Sequence, residues 1–342
     1  MFSHPDYDGH ERVVYLRDAR AGLSAIIALH STALGPAFGG CRMWPYRDDG
    51  QALADVLRLS RGMTYKAAIC ELPFGGGKSV ILGDSRRDKT PELLRAMGRA
   101  VESLGGRYII ADDVGTTLDD LAVMRQETSH TAAATAAAKA PLAVTAYGVF
   151  CALRAATRHY FGRDDFEGLR VAVQGLGNVG MPLCRYLHGK GARLVVCDMD
   201  PARARQASES FGAQAVPVEA IYDAEVDIFA PSALGGILND HTIGRLKARL
   251  VCGGANNQLE HSRHDAALAR RDIAYVPDYL ANAGGVIDFH QEAIDDRPEA
   301  VMASVERIGR ITADVLDRAK RDGARPLAVC DAIVRQRLSA AR

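Results

Sequence analysis

Two lysines twelve residues apart, Lys66 and Lys78, are the side chains in this sequence best placed to do chemistry on an anion. Between them lie an apolar run, a Leu-Pro-Phe turn and the triplet Gly75, Gly76 and Gly77. Glycine loses more backbone freedom on folding than any other residue, so three in a row mark a sharp bend or a very close approach. A lysine directly after them points into that space. Lys66 and Lys78 are therefore expected to face one small anionic substrate. A third group, Asp113, stands where a short strand over 107–111 passes into the loop DDVGTT. Strand ends and loops often carry catalytic groups, although position alone favours a turn or capping aspartate.

The element that must position Lys66 is a helix over 51–69. Ala52, Val56, Leu59 and Met63 recur there at three- to four-residue spacing and make one apolar face. Lys66 continues that face by one turn, an unusual place for a side chain seldom fully buried unpaired. Pro73 and the glycines end the helix. Upstream, 12–16 and 23–31 read as a β pair, and 34–42 (LGPAFGGCR) as a loop too rich in glycine for regular structure. Downstream, Pro91 opens a helix to Leu104, and Thr117 caps the next one, with Asp119 and Asp120 in its first turn. Residues 131–144 contain eight alanines in fourteen positions and are the candidate first crossing between two domains.

From Thr145 the pattern becomes alternating helix and strand, which argues for a doubly wound parallel sheet. The strand 170–174 runs into Gly175-Leu-Gly177-Asn178-Val179-Gly180, a helix follows, and Asp198 closes the next strand 23 residues after Gly175. In that context the glycines have distinct duties. Gly175 permits the tight turn, Gly177 lets backbone approach a pyrophosphate, and Gly180 lets helix and strand pack closely. The helix N-terminus offers unpaired N–H groups to the phosphates. Asp198 is suited to ribose hydroxyls and would repel a 2′-phosphate, and Met199 and Asp200 follow it rather than arginine, which favours NAD over NADP. Ala230 and Pro231, and then Asn256 and Asn257, each follow a further strand and face the same crevice. The two asparagines fit a ribose or carboxamide and equally an Asx turn. Residues 298–341 read as two long helices that pack back onto the first domain.

Composition narrows the rest. The 342 residues are 48% hydrophobic and 25% charged, with 42 basic and 42 acidic side chains. Nothing in that balance, and no basic run, calls for nucleic acid. No apolar run reaches the ~18 residues of a membrane span, and the N-terminus lacks the apolar stretch of a signal peptide. Seven scattered cysteines without ligand spacing read as buried, reduced thiols of a cytoplasmic protein, with no metal site. His130, His261, His264 and His290 show no pairing with a carboxylate and read as structural or surface groups.

Taken together, GPAFGGCR, MTYK, LPFGGGK, DDVGTT, TAYGVF, GLGNVG, FAPSALGG, GGANNQL and YLANAGGVI resemble the glutamate/leucine/phenylalanine/valine dehydrogenase family over about residues 25–292. The likeness is strongest to the leucine, valine and phenylalanine branch. It implies an α/β chain of two domains with the active site in the cleft between them. The first, 1–133, would bind substrate and mediate homo-oligomerisation, with a C-terminal helix over 323–342 packing back on it. The second, 134–322, would be a Rossmann-type NAD-binding domain. The implied reaction is reversible oxidative deamination of an L-amino acid to a 2-oxo acid and ammonia.

Carried over by motif, Lys66 would hold the α-carboxylate, Lys78 would polarise the carbonyl and activate water, and Asp113 would move protons to and from the amino group. Asn282 would touch the substrate, Gly39 and Gly40 would form the floor with the glycine triplet, and Thr145 would help seat the nicotinamide. Phe38 stands where glutamate-specific relatives carry a lysine, so a distal carboxylate would be left unpaired in an apolar pocket at a cost of several kcal/mol. Phe38, Met63 and Phe289 suggest a pocket for leucine, valine or isoleucine, or one that stacks on phenylalanine or tryptophan. An inactive dinucleotide-binding scaffold remains a further alternative. The alanine-rich 131–144 and Cys41, where threonine is usual, depart from the family pattern.

Overall fold

The computed structural model describes residues 2–132, 143–292 and 294–341. The chain divides into two compact units, 1–139 with 334–342, and 140–333. The expected domain boundary at 133/134 and most of the alanine-rich crossing fall outside the described residues.

The first unit is built on strands β1 (Arg12–Asp18), β2 (Leu23–Ser31), β3 (Ala37–Trp44), β4 (Gly75–Leu82) and β5 (Tyr108–Asp112), with helices α1 (Asp49–Ile69), α2 (Pro91–Glu102) and α3 (Leu118–Met124). Its sheet runs β1-β2-β4-β3-β5. The β1–β2 and β2–β4 pairs are antiparallel, and β3 lies parallel to both β4 and β5. Apolar side chains leave both faces of the sheet. Ile26, Ala28 and Val80 meet Ala52, Val56 and Leu57 of α1 on one side. Ile27, Cys41, Met43 and Ile81 meet Leu93, Met97, Val101 and Met124 of α2 and α3 on the other. Asp48 and Thr90 cap α1 and α2, and Thr117 and Asp120 form a reciprocal capping box on α3.

Two expectations are corrected here. Residues 37–42 of the stretch 34–42, read as loop, belong to strand β3, and of the two readings of the glycine triplet it is close approach that applies, because the triplet starts strand β4 and makes no bend. Helix α1 ends at Ile69, where the reading over 51–69 put it, but what stops it is the left-handed turn at Glu71 (φ 56°), before Pro73 is reached.

The second unit opens with α4 (Val144–Phe161). It continues through β6 (Arg170–Gln174), α5 (Gly180–His188), β7 (Arg193–Cys197), α6 (Pro201–Phe211), β8 (Gln214–Ala215), β9 (Ile228–Pro231), β10 (Leu250–Val251), α7 (Arg263–Ala269) and β11 (Ala274–Tyr275). The strands form one parallel sheet ordered β11-β10-β9-β6-β7-β8. That order places β6 at the centre, where the connections reverse direction, which is the crevice used by dinucleotides in such sheets. Short α8 (Asp278–Ala281) and α9 (Gly284–Glu292) follow. The C-terminal region, expected as two helices, is three: α10 (Pro298–Val305), α11 (Arg307–Asp322) and α12 (Pro326–Ala340). The added break falls at Glu306, between α10 and α11, while Gly323 in the left-handed conformation ends α11 where the C-terminal helix was expected to begin. Near the end of α12, Arg337 donates to the carbonyls of Ala68 and Ile69 at 2.7 and 2.8 Å, closing the C-terminus of α1.

Candidate active site

The glycines of β3 and β4 explain how the sheet can hold buried Lys78 while α1, which carries buried Lys66, packs directly on it. A Cβ on Gly76 would lie 2.0 Å from the Thr64 nitrogen of α1, and one on Gly77 would lie 2.8 Å from the Tyr108 ring. A Cβ on Gly39 would lie 1.9 Å from the Gly77 oxygen. Close approach is therefore what the triplet serves: helix α1 sits directly on β4, and β4 directly beside β3. Tyr108, buried beneath, donates to the Gly39 carbonyl at 2.7 Å and lies 3.1 Å from the Ser79 hydroxyl, fixing the floor from below.

On that floor Lys78 and Asp113 meet. Lys78 Nζ lies 2.9 Å from Asp113 Oδ2, and the ammonium sits over Gly40, 3.0 Å from where a Cβ would stand. Lys78 is 5% exposed and Lys66 8%, so both cations are held in low-dielectric surroundings that would strengthen their hold on an anion. Arg42, from β3, adds its Nε to the same Asp113 oxygen at 3.0 Å. Its Nη1 reaches Asp55 of α1 at 2.9 Å, and Tyr46 donates to that Asp55 oxygen at 2.6 Å. Burial pushes the Asp113 carboxyl up, but the charges of Lys78 and Arg42 outweigh it and hold the group well below the usual carboxylate range. Phe38 is buried on β3 with its ring 5.6 Å from that of Phe74, and Met63 abuts Gly39. Arg42, Tyr46, Tyr108 and Phe74 were not singled out by the sequence reading. The signal for Arg42 was its place in GGCR, one residue beyond the floor glycines and Cys41.

The dinucleotide half-site lies in the second unit. Gly175 has φ 88°, a conformation that favours glycine, and a Cβ there would meet Ala233 at 2.7 Å. A Cβ on Gly180 would lie 1.8 Å from the Gly175 oxygen, whereas Gly177 is open except for the Arg203 guanidinium. The loop therefore leaves bare backbone and helix N–H groups where a pyrophosphate would sit, and the residues present fit a dinucleotide. Asp198 Oδ2 accepts from the Leu176 amide at 2.6 Å and Oδ1 from the Asp200 amide at 2.8 Å. Each oxygen keeps a lone pair for a hydroxyl. Arg203, which the sequence reading passed over, leans across the loop and pairs with Asp200 at 3.7 Å.

The remaining predicted residues divide by what engages them. Asn178 is exposed at the loop tip, and Val179 packs against Gly254. Ala230 and Pro231 end β9, with Gly253 pressed against the Pro231 carbonyl. Asn257 takes a left-handed turn (φ 52°) and its carbonyl accepts from Gly236, so its backbone has a structural duty. Asn282 donates to Asn256 Oδ1 at 2.9 Å and to the Gly254 carbonyl at 3.2 Å. Its own buried Oδ1 has no partner among the described residues, an orphan acceptor that a bound ligand could satisfy. Thr145 lies in the first turn of α4, against Gly285, and Phe289 is half-buried on α9.

The histidine reading needs correction at three of the four: His130 Nε2 lies 3.8 Å from Glu102 Oε2 and His261 Nε2 4.0 Å from Glu260 Oε2, both in partly exposed pairs. His264, fully buried, does pair with a carboxylate: its Nε2 lies 3.0 Å from Asp240 Oδ1. Its Nδ1 accepts from the His261 amide at 3.1 Å, so both ring nitrogens are engaged locally and neither can serve a substrate. All seven cysteines are buried, and none is in a disulfide. Among the described residues no three His, Cys, Asp or Glu side chains gather as metal ligands, and no helix is long and apolar enough to cross a membrane.

A floor of glycines carrying a Lys–Asp pair, joined in one chain to a Rossmann-type unit, defines a nicotinamide-dinucleotide dehydrogenase of amino acids. Comparison with known proteins narrows this. The Glu/Leu/Phe/Val dehydrogenase dimerisation domain matches residues 10–130, and the Glutamate/Leucine/Phenylalanine/Valine dehydrogenase domain matches 139–200 and 201–325. The chain belongs to this family. It is 45% identical to a leucine dehydrogenase of Thermoactinomyces intermedius, over 100% of this chain and 94% of that protein. It is 46% identical to an L-tryptophan dehydrogenase of Nostoc punctiforme, over 92% and 89% respectively. A crystal structure of L-tryptophan dehydrogenase from Nostoc punctiforme superposes with a TM-score of 0.80 at 43% identity, covering 97% of this chain and 96% of that one.

Proposed function

We propose that the protein catalyses reversible, NAD-dependent oxidative deamination of an aliphatic L-amino acid of the leucine, valine or isoleucine type. The observation that carries this reading is the Lys78–Asp113 pair over Gly40, next to a floor whose flanking residue is Phe38 rather than a cation. The Gly175–Gly180 loop and Asp198 would hold NAD, which would supply the hydride acceptor for the substrate Cα. The chain's own residues do the rest. Lys66 binds the α-carboxylate. Asp113, kept ionised by its neighbours, accepts a hydrogen bond and then a proton from the substrate amino group. Lys78 delivers and removes the protons of the water that attacks the imine, and polarises the oxygen as the carbinolamine collapses. Atoms balance as amino acid, water and oxidised dinucleotide giving 2-oxo acid, ammonium, reduced dinucleotide and one proton. A group that gives and takes protons in turn within hydrogen-bond reach is what general acid–base catalysis requires.

The Asp198 carboxylate, directly after β7, would repel a 2′-phosphate, which supports NAD over NADP. Asn282 supplies its orphan Oδ1 to the substrate, and Thr145 flanks the nicotinamide. The substrate class follows from Phe38, Phe74 and Met63, which offer no counter-charge to a distal carboxylate. A second reading, an aromatic amino acid, is favoured by the Phe38–Phe74 ring pair and by the likeness to a tryptophan dehydrogenase. A homo-oligomer in the cytoplasm fits the matched dimerisation domain and the buried cysteines without disulfides. NADH absorbance with a panel of valine, leucine, isoleucine, phenylalanine, tryptophan and glutamate tests the proposal. Turnover of the aliphatic members is expected. Preference for the aromatic members would select the second reading, and turnover of glutamate alone would overturn the pocket argument.

A further inference from the structure

The Lys78–Asp113 pair poses a chemical difficulty that Arg42 resolves. In the proposed reaction, on which this inference rests, Lys78 must gain and lose a proton within each turnover. Whenever Lys78 is neutral, Asp113 loses that counter-charge in a site where it is only 17% exposed. A carboxylate so placed would capture the proton itself or rotate away. Arg42 is the one other cation on Asp113 among the ion pairs of the described residues, and a guanidinium does not deprotonate in proteins.

The geometry suits a fixed counter-ion. The Asp113 backbone is already tied down, because its amide donates to Thr116 Oγ1 at 3.0 Å and that hydroxyl donates to the Cys41 carbonyl at 2.7 Å. What remains free is the carboxylate's rotation, and Arg42 Nε grips it at Oδ2, the same oxygen that faces Lys78. The carboxylate also accepts from the Val114 backbone N–H, and the lone pairs that these donors leave are the ones that would meet the substrate amino group. Arg42 is itself held by Asp55, and Asp55 by Tyr46. Asp55 lies on α1, the helix that also carries Lys66. The chain Tyr46–Asp55–Arg42–Asp113–Lys78 therefore registers the carboxylate-binding helix against the proton-transfer pair.

We infer that Arg42 is a positioning residue of the reaction: it is the permanent counter-ion that keeps Asp113 ionised and aimed while Lys78 cycles its proton, with Asp55 and Tyr46 as its support. It touches no reacting atom. Lysine at this place would restore charge but has no planar fork to span Asp113 and Asp55 together.

The test uses full-length protein, NAD and whichever panel amino acid it turns over, with Asp113→Asn as reference. Arg42→Met is expected to lower kcat by about 10²-fold, the scale of a roughly 1 Å misplacement of a catalytic group, while KM for the amino acid and for NAD change little. Arg42→Lys should recover part of the lost kcat, and added guanidinium should raise kcat of Arg42→Met in a concentration-dependent way. Asp55→Asn, which loosens Arg42 without removing it, should fall between wild type and Arg42→Met and covers the case in which Arg42→Met fails to fold. Wild-type kcat in Arg42→Met or in Asp55→Asn, beside a crippled Asp113→Asn, would overturn the inference. So would a loss in which both KM values rise in step with kcat falling and neither lysine nor guanidinium restores turnover. Full activity in Asp113→Asn would instead overturn the underlying assignment of the site.

Discussion

Gly40→Ala probes the site without altering any charge. A Cβ at position 40 would lie 2.6 Å from the Asp112 carbonyl oxygen, 2.8 Å from Asp113 Cβ and 3.0 Å from Lys78 Nζ. Lys78 Nζ can swing aside, but the carbonyl is backbone in the ladder that pairs β3 with β5. Relief must come from moving β5 and the start of its loop by roughly 0.8 Å, the shortfall from ordinary van der Waals contact. Asp113 is the first residue of that loop and moves with it, and Lys78 moves too. Overpacking of this kind costs about 1–3 kcal/mol of stability, and a displacement near 1 Å in a catalytic pair costs about 10²-fold in rate. NAD binding, which the proposed function assigns to the loop of Gly175, Gly177 and Gly180, should be unaffected. The assay is steady-state NADH formation, with NAD affinity measured separately by fluorescence titration. Gly62→Ala, where a Cβ meets nothing within 4 Å, serves as the control and should keep full activity. Turnover of Gly40→Ala within about threefold of wild type, for a properly folded variant, would refute the close-packed geometry from which the mechanism is argued.

Other expectations follow from the same geometry. Lys78→Ala should retain NAD binding and lose most turnover, read as kcat beside an unchanged NAD titration; near-normal kcat would remove its assigned role. Asp113 has a folded-state pKa depressed below the unfolded value of about 3.9, so its ion pair contributes stability above that pH, and the contribution is lost as pH falls below it. Urea unfolding should accordingly show the stability gap between wild type and Asp113→Asn narrowing as pH drops from 5 toward 2. Asp198→Ala should improve kcat/KM for NADP by about tenfold or more, the worth of one relieved repulsion of about 1.4 kcal/mol, with Arg203 free to meet the 2′-phosphate; unchanged discrimination would show that other groups select the cofactor.

Much of the scaffold was legible because local rules act alone there. Thr117 and Asp120 make their capping box within one turn of chain, so the sequence states it outright. The glycine fingerprint before α5 likewise needs only a strand before and a helix after. Strand β3 was not legible, since glycine disfavours strands in isolation and the compensation comes from distant chain: Gly77 beside Gly39, and Asp112 with Lys78 beside Gly40. The same non-local logic hid Arg42, whose partners lie 13 and 71 residues away, and the His264–Asp240 pair, 24 residues apart. Lys78 and Asp113 could be nominated by type and position, but their 2.9 Å meeting depends on the parallel pairing of β3 with both β4 and β5. The break between α11 and α12 was legible from Gly323 followed at 326 by proline, whereas the break at Glu306, between α10 and α11, has neither glycine nor proline to mark it.

The most direct measurement is product stoichiometry for wild-type protein supplied with NAD and L-leucine. One NADH, one 2-oxo acid and one ammonium ion per leucine consumed are expected, all three abolished together in Lys78→Ala. NADH formed without ammonia, or no NADH with any amino acid despite measurable NAD binding, would contradict oxidative deamination at the Lys78–Asp113 centre.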